Sequence, residues 1–425
     1  MLLLKGKTLI GKFWSRANIL ISDSGFIVKI FRSERANRFY MSKVDKIYNA
    51  QDKLILPGLI DVHVHFRDPG QTHKEDFESG SKCALASGIV VVGDMPNNVP
   101  PIDNVESYLR KIEEVSKKSY VDFFLYIMVI GRKKFSDFLR RGVQPRAVKI
   151  YLPERRDYDL MRQNDLPRDP IYVFHAEHPG YIGGDEPTNM EDLLKIRPVK
   201  AEVEGIRFAI NFASRGHRVH ITHVSSKAGI EEIINAKRRG LRISCDVTPH
   251  HLIFYRERID MRSPLFKVLP PIRHKHDRDF LIRALSSGVI DIIASDHAPH
   301  TIEEKTNFVG SPYGIQSIQY LLPLVFSLCM KLHIDFRRIL PLLSRNPARI
   351  FGIHRRGWIK VGNYADLVVF DPRRRWVIDP DMCFSKARIS PYDFMFVRGY
   401  VDATFLRGEL VYENGLFLKR IGKLI

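Results

Sequence analysis

Between residues 61 and 295 the chain repeats one pattern eight times, and nothing else in it constrains the fold as strongly. Apolar runs rich in β-branched residues stand at 61–66, 89–94, 121–128, 147–151, 171–175, 218–223, 242–248 and 291–295. Segments whose apolar residues recur with helical spacing lie between them, at 76–86, 104–117, 198–214, 228–239 and 278–286. Continuous apolar runs suit strands buried on both faces, and strands that alternate with helices pair in parallel. Eight strand–helix units in about 250 residues have the dimensions of a closed barrel. The pattern predicts an α/β fold, a (β/α)8 TIM barrel over residues 58–350.

The two flanks have a different texture. Short apolar runs separated by turn residues predict strands at 8–10, 18–22 and 25–31, and Pro57-Gly58 marks a boundary. After residue 351 short strands are expected at 357–361, 365–370, 397–398, 400–406 and 410–412, with no long helix. The simplest architecture joins 1–57 and 351–425 into a small composite β-sandwich domain beside the barrel. The leucine-rich 321–330 segment is far shorter than a membrane span and reads as a core helix.

A chain of 425 residues, 44% hydrophobic, can bury one large core and a satellite domain. Its four cysteines are scattered and form no CxxC pair, which argues against a disulfide framework or a thiolate zinc site. Three leucines before Lys5 are too few for a signal peptide. The expectation is a cytoplasmic protein with no membrane contact. The formal net charge of +19 raises the question of nucleic acid. The basic runs at 237–239 and 373–375 are short, however, and no RNA-binding aromatic motif accompanies them. No nucleic-acid partner is expected. A positive field would instead attract a small dianionic substrate.

His63 and His65 end the first run, in DVHVH. Alternate residues of a strand face the same side, so both imidazoles project together as a metal clamp. Lys149 lies inside the apolar run AVKIY. An ammonium there is costly, and the amine tends to lose its proton. A neutral amine reacts with carbon dioxide to give a carbamate, whose two oxygens can bridge two metal ions. The plainer alternative is a lysine that snorkels or pairs with a carboxylate. His175 closes the fifth run, His223 the sixth, and Asp296 follows the eighth in ASDHAPH. Each alone reads as a hydrogen-bonded structural residue. Together, all six fall at the C-terminal ends of their runs, the end that carries catalysis in such barrels.

Four imidazoles, an amine and a carboxylate, with no thiolate, suit zinc. His63, His65 and Asp296 would hold one ion and His175 and His223 the other, with a carboxylated Lys149 shared between them. A hydroxide bridging metals ~3.5–4 Å apart is a strong nucleophile at neutral pH. Asp296 could accept its proton and deliver it to a leaving nitrogen.

With these residues in view, DVHVHFRDPG, GDMPNN, VKIYLP, HAEH, HITHVSS, CDVTPHHL and ASDHAPHT, in that order, resemble the dihydroorotases of the metal-dependent amidohydrolase superfamily. WIKVGNYADLVVFDP is similar to that superfamily's β-sandwich. The resemblance implies reversible, zinc-dependent hydrolysis of L-dihydroorotate to N-carbamoyl-L-aspartate, in pyrimidine (UMP) biosynthesis. It implies a zinc pair bridged by carboxylated Lys149, with His63 and His65 as the paired histidines of the first strand. His175 and His223 match the second metal's ligands, and Asp296 the catalytic aspartate. Arg67, Asn97 and His300 match residues that bind the substrate carboxylate. Arg67 follows His65 by two residues and so points into the same mouth, where a guanidinium can grip a carboxylate bidentately. Tyr313 and Gly314 are expected to offer backbone contacts to the ring.

Two departures stand out. Leu269 occupies a place where the family generally offers a polar residue, and nearby Arg273 is a candidate to compensate. The polar segment 153–159 is a candidate lid, or else an ordinary solvated loop. His250 and His251 read as supporting rather than ligating residues. Competing readings are another cyclic amidohydrolase (dihydropyrimidinase, hydantoinase or allantoinase) and a non-catalytic scaffold for aspartate transcarbamoylase. That enzyme is also a possible partner of an active chain.

Overall fold

The computed structural model describes residues 1–10, 13–33, 37–162 and 166–425. The chain opens with four strands, β1 (Leu2–Ile10), β2 (Phe13–Ile21), β3 (Ile27–Phe31) and β4 (Lys46–Pro57). The sequence reading did not include β4 as a strand. Polar residues dominate its first half, and Gln51, with φ of 53°, interrupts the alternation that would reveal it.

The barrel follows: β5 (Leu59–Val64), β6 (Ile89–Asp94), β7 (Asp122–Met128), β8 (Ala147–Tyr151), β9 (Ile171–His175), β10 (Arg218–Ile221), β11 (Ile243–Val247) and β12 (Ile292–Ile293). Each pairs in parallel with the next. The ring closes where Val64 bridges to His297 and the His65 amide donates to the His297 carbonyl at 2.8 Å. The buried Asp61 carboxylate helps, accepting from the amides of His63 (3.1 Å) and Ser295 (3.2 Å). β10 and β12 are shorter than the apolar runs that predict them. His223 and Asp296 therefore sit just beyond their strands rather than on them.

All five expected helices are present, as Phe77–Ala86, Val105–Ser116, Val199–Ser214, Lys227–Arg238 and Lys275–Ser287. Local chemistry sets their starts. Asp76 accepts the Ser79 amide at 2.8 Å while Ser79 Oγ accepts the Asp76 amide, a reciprocal capping box. Asn104 accepts the Ser107 amide at 2.8 Å. The leucine-rich segment is the buried helix Leu321–Lys331. No helix among the described residues is long and apolar enough to cross a membrane.

The C-terminal strands are β13 (Leu367–Val377), β14 (Phe396–Leu406), β15 (Glu409–Glu413) and β16 (Leu416–Phe417). β13 runs antiparallel to β4, from Leu367 opposite Pro57 to Phe370 opposite Leu54. That pairing joins the chain's two ends in one continuous eight-stranded sheet, ordered β16-β15-β14-β13-β4-β1-β2-β3. The sheet has its own apolar cluster, with Leu4, Ile19 and Ile55 packed on Leu367, Val369 and Phe405. Two local expectations are corrected. Residues 357–361 form no strand, being flanked by left-handed Gly357 and Gly362, and 397–398 and 400–406 are one strand running through Gly399.

An ion cluster ties sheet to barrel. Asp122, fully buried at the start of β7, accepts from the guanidinium groups of Arg356 and Arg407 and from the Lys423 amide (2.9 Å). Arg356 Nη1 also donates to Asp366 at 2.7 Å. Removing one partner of such a cluster strands the other charges. Asp122→Ala is expected to cost about 3–5 kcal/mol, read as a lower urea midpoint, whereas a loss below about 1 kcal/mol would mean that the cluster does not join the two parts.

Candidate metal centre and substrate cavity

The C-terminal rim gathers the predicted ligands into two adjoining sets. In the first, His63 Nε2 and His65 Nε2 lie 3.2 and 3.4 Å from the same oxygen, Oδ1 of Asp296. Both histidines come from β5 and the residue just after it, where strand alternation puts them on one side. Their other nitrogens are engaged: His63 Nδ1 meets Thr222 Oγ1, and His65 Nδ1 donates to Asn97 Oδ1 at 2.7 Å. An acceptor on Nδ1 leaves the Nε2 lone pair facing the aspartate. In the second set, His175 Nδ1 and His223 Nε2 are 3.1 Å apart, and His175 Nε2 donates to the buried Glu177 carboxylate at 2.8 Å. The sets adjoin through His63 and His223, whose ring centroids are 5.4 Å apart.

Electrostatics keep these rings in the ligating form. Burial, then the nearby Lys149 charge, pushes His63 well below the usual imidazole range, and burial does the same for His65 and His223. His175 is lowered less, because Glu177 opposes the effect of burial. Lys149, on β8, is itself brought down to about 8 by burial, against the opposing pull of Asp296, Asp246 and Asp157. Asp296 is pushed up to about 7 by burial.

The backbone is strained at the same place. Arg67 (φ 61°), His223 (φ 40°) and Asp296 (φ 47°) all adopt the left-handed region without being glycine. Such conformations cost roughly 1–3 kcal/mol each and persist where the surroundings impose them, typically at functional sites.

A cavity of about 580 Å³ opens over the two sets. His63, His65, Lys149, His175, His223, Asp296, Arg67, Asn97, Tyr313 and Gly314 all line it. The buried Arg67 guanidinium, lowered by burial only to about 10, remains a cation, and its Nε has no hydrogen-bond partner. A buried guanidinium with unused donors on a cavity wall is poised for an anionic ligand.

Some expectations are placed differently. Asn97 lies on the wall, but its amide oxygen is already committed to His65. His300 is buried behind the wall, with Nε2 3.1 Å from Arg67 Nη2 and 3.0 Å from the Tyr313 carbonyl. The Gly314 amide is engaged, donating to the Lys267 carbonyl at 3.0 Å. Gly314 itself, at φ 144°, must be glycine: an added Cβ would lie 2.3 Å from the Ala298 carbonyl oxygen. Leu269 lines the cavity as an apolar residue. Arg273 does not compensate, since its guanidinium is turned away to Ser225 and the Arg197 carbonyl. The candidate lid segment 153–159 lines the cavity through Glu154, Arg156 and Asp157, and most of it is the start of the helix Arg155–Arg162, anchored by the Asp157 carboxylate on the Tyr151 amide at 2.9 Å. His251 is held by Thr248 and the Pro270 carbonyl, a supporting role.

Sequence reasoning missed Glu177 and Thr222, the residues that orient His175 and His63. Glu177 could have been suspected, because it lies two residues past His175 in HAEH, where alternation returns to the same side.

The comparisons agree with this geometry. The amidohydrolase family profile matches residues 54–151 and 185–411, which makes the barrel and its rim those of an amidohydrolase. Dihydroorotases are similar along nearly the whole chain: that of Pyrococcus furiosus is 36% identical, covering 97% of this chain and 92% of that one. The Pyrococcus abyssi dihydroorotase is 34% identical over 96% and 95%, and that of Aquifex aeolicus 33% over 88% and 93%. The chain belongs to the dihydroorotase family of amidohydrolases. Among solved structures, D-hydantoinase (dihydropyrimidinase) from Thermus sp. superposes with a TM-score of 0.87 at 26% identity, covering 100% of this chain and 98% of that one. L-hydantoinase from Arthrobacter aurescens shares the fold, with a TM-score of 0.89 at 24% identity over 100% and 99%.

Proposed function

We propose that the chain is a dihydroorotase that reversibly hydrolyses L-dihydroorotate to N-carbamoyl-L-aspartate, a step of pyrimidine biosynthesis in the cytoplasm. One observation carries the reading: a buried cation, Arg67, lies on the same cavity wall as six side chains of metal-ligand type. The family of its relatives supports the choice of substrate.

The residues fit zinc. His63, His65 and Asp296 converge their donor atoms within 4.8 Å of one another, and His63 and His65 present neutral nitrogens there. His175 and His223 aim two ring nitrogens at one point, where two lone pairs would repel without a shared proton or cation. His223 Nδ1 is buried without a partner. In our reading His63, His65 and Asp296 hold one ion and His175 and His223 the other, with Lys149, as its carbamate, shared by both. A bound zinc pair would supply Lewis acidity and a hydroxide nucleophile at neutral pH.

The chain's own residues do the rest. Arg67 draws the substrate carboxylate in and orients the ring by charge-assisted hydrogen bonds. Asn97 holds the His65 ring in one tautomer, and Glu177 does the same for His175. Asp296, whose carboxyl burial makes more basic, takes a proton from the attacking water at the oxygen that does not face His63 and His65, and returns it to the departing ring nitrogen. Leu269 and Val268 keep that wall apolar and exclude water. The four cysteines are all buried and unbridged, which suits a reducing compartment.

The test is a side-by-side assay of dihydroorotate, dihydrouracil, hydantoin and allantoin on zinc-loaded protein. The expected preference is for dihydroorotate. Faster turnover of an uncharged ring would transfer the chain to the hydantoinase reading, to which its fold is equally suited.

A further inference from the structure

Ten residues past Asp296, the chain crosses behind the cavity wall and returns to it at Pro312, Tyr313 and Gly314. Val268 and Leu269 line the cavity from a second irregular segment. Neither segment belongs to a strand of the barrel, and a single backbone hydrogen bond, from the Gly314 amide to the Lys267 carbonyl, joins them directly. A pair of buried lysines that play no part in the chemistry described above adds further ties.

Lys305 is buried, and its Nζ donates to three main-chain carbonyls: Pro312 at 2.7 Å, Pro264 at 3.0 Å and Lys267 at 3.5 Å. One carbonyl belongs to the segment that carries Tyr313, and two to the segment that carries Leu269. Lys267 reaches the other way. Its buried ammonium donates to the Phe308 carbonyl at 2.7 Å and lies 4.9 Å from the centre of the Tyr313 ring. The Lys267 carbonyl, in turn, accepts the Gly314 amide. His300 flanks this tie: its Nε2 lies 3.0 Å from the Tyr313 carbonyl and 3.1 Å from Arg67 Nη2, and its Nδ1 3.3 Å from Lys74 Nζ. The Pro312 carbonyl is thus tied back by a side chain rooted behind the wall.

We infer that Lys305 is a positioning residue for substrate binding: its amino group, held by backbone carbonyls of both segments, fixes how the segments that carry Leu269 and Tyr313 sit on the cavity wall. Burying an amino group among carbonyls is a poor way to gain stability, since an apolar residue of similar shape commonly does as well. It does specify geometry, because three acceptors of fixed direction must converge on one nitrogen. Arginine could keep donors to both segments, whereas methionine would fill the space and hold neither. Lys305 does not itself line the cavity and acts only through the backbone it ties.

The inference rests on the dihydroorotase reading only for the choice of assay substrate. In zinc-loaded Lys305→Met, KM for dihydroorotate is expected to rise about tenfold or more while kcat stays within about threefold, the signature of lost binding rather than lost chemistry. Lys305→Arg should recover most of the affinity. Independently of any substrate, amide exchange at Gly314 should quicken by about tenfold or more in Lys305→Met, with the barrel strands unchanged. Should Lys305→Met fail to fold, Lys305→Gln, which keeps part of the donor set, should show a smaller change in both readouts. Wild-type KM together with wild-type exchange at Gly314, in whichever variant folds, would overturn the proposal. So would a fall in thermal stability and kcat with KM unmoved, which is what a purely structural lysine predicts. If the protein prefers another ring, the exchange measurement still decides the role of Lys305.

Discussion

Lys149→Ala is expected to lose at least half of its bound zinc, from about two ions to one or fewer, and to fall in activity by about a thousandfold or more. The reason lies in where the lysine sits. Lys149 is inside β8, with burial lowering its amine to about 8, so a sizeable neutral fraction exists near neutral pH. Only the neutral amine reacts with carbon dioxide, and only the resulting carbamate offers two anionic oxygens to a metal pair. Without it, the first set keeps its three ligands and the second is left with two imidazoles. The variant should therefore retain the His63–His65–Asp296 ion better than the other. Metal analysis together with a rate assay checks this. Zinc reconstitution of the unaltered protein under carbon dioxide exclusion is a second check, and it should reproduce the defect reversibly on adding bicarbonate. Unchanged metal content and rate in Lys149→Ala would remove the bridge from the mechanism.

In Arg67→Gln, kcat/KM for dihydroorotate should drop by about 2–5 kcal/mol in transition-state binding, or roughly 30- to 5,000-fold. Arg67→Lys should recover only part of it, since an ammonium cannot grip a carboxylate with two parallel donors. Any slow hydrolysis of the uncharged ring dihydrouracil should change far less, because that substrate has no carboxylate to lose. The contrast between the two substrates is the measurement. Equal losses on both would mean that Arg67 supports the rim rather than the ligand. The left-handed backbone at Arg67 bears on the design of this test: a substitution there keeps the strain, so glutamine, of similar reach, is preferable to β-branched residues.

Much of this protein was legible without coordinates because the relevant signals are local. A run of four to eight apolar residues reports a buried strand, and eight of them alternating with helices admit few arrangements other than a barrel. His63 and His65 share a face because strand alternation makes them do so. Lys149, His175 and the two residues just past β10 and β12 all end up on one rim because parallel strands end at one face. β4 was not legible, since its polar first half and left-handed Gln51 break the alternation on which such reading depends.

The pairing of the two chain ends, β13 on β4, came from the tertiary structure, whereas the sequence by itself determined the barrel and which residues could meet at the rim. Tertiary structure alone decided how they meet. Which nitrogen each imidazole turns inward depends on Thr222, Asn97 and Glu177, and His63 and Thr222 are 159 positions apart in the chain. That His300 backs Arg67, and that Lys305 ties two cavity segments together, also arises from contacts between distant residues. Periodicity is a property of neighbours along the chain. Hydrogen-bond direction, burial and left-handed strain arise only when the closed barrel brings remote segments together, and the chemistry depends on those.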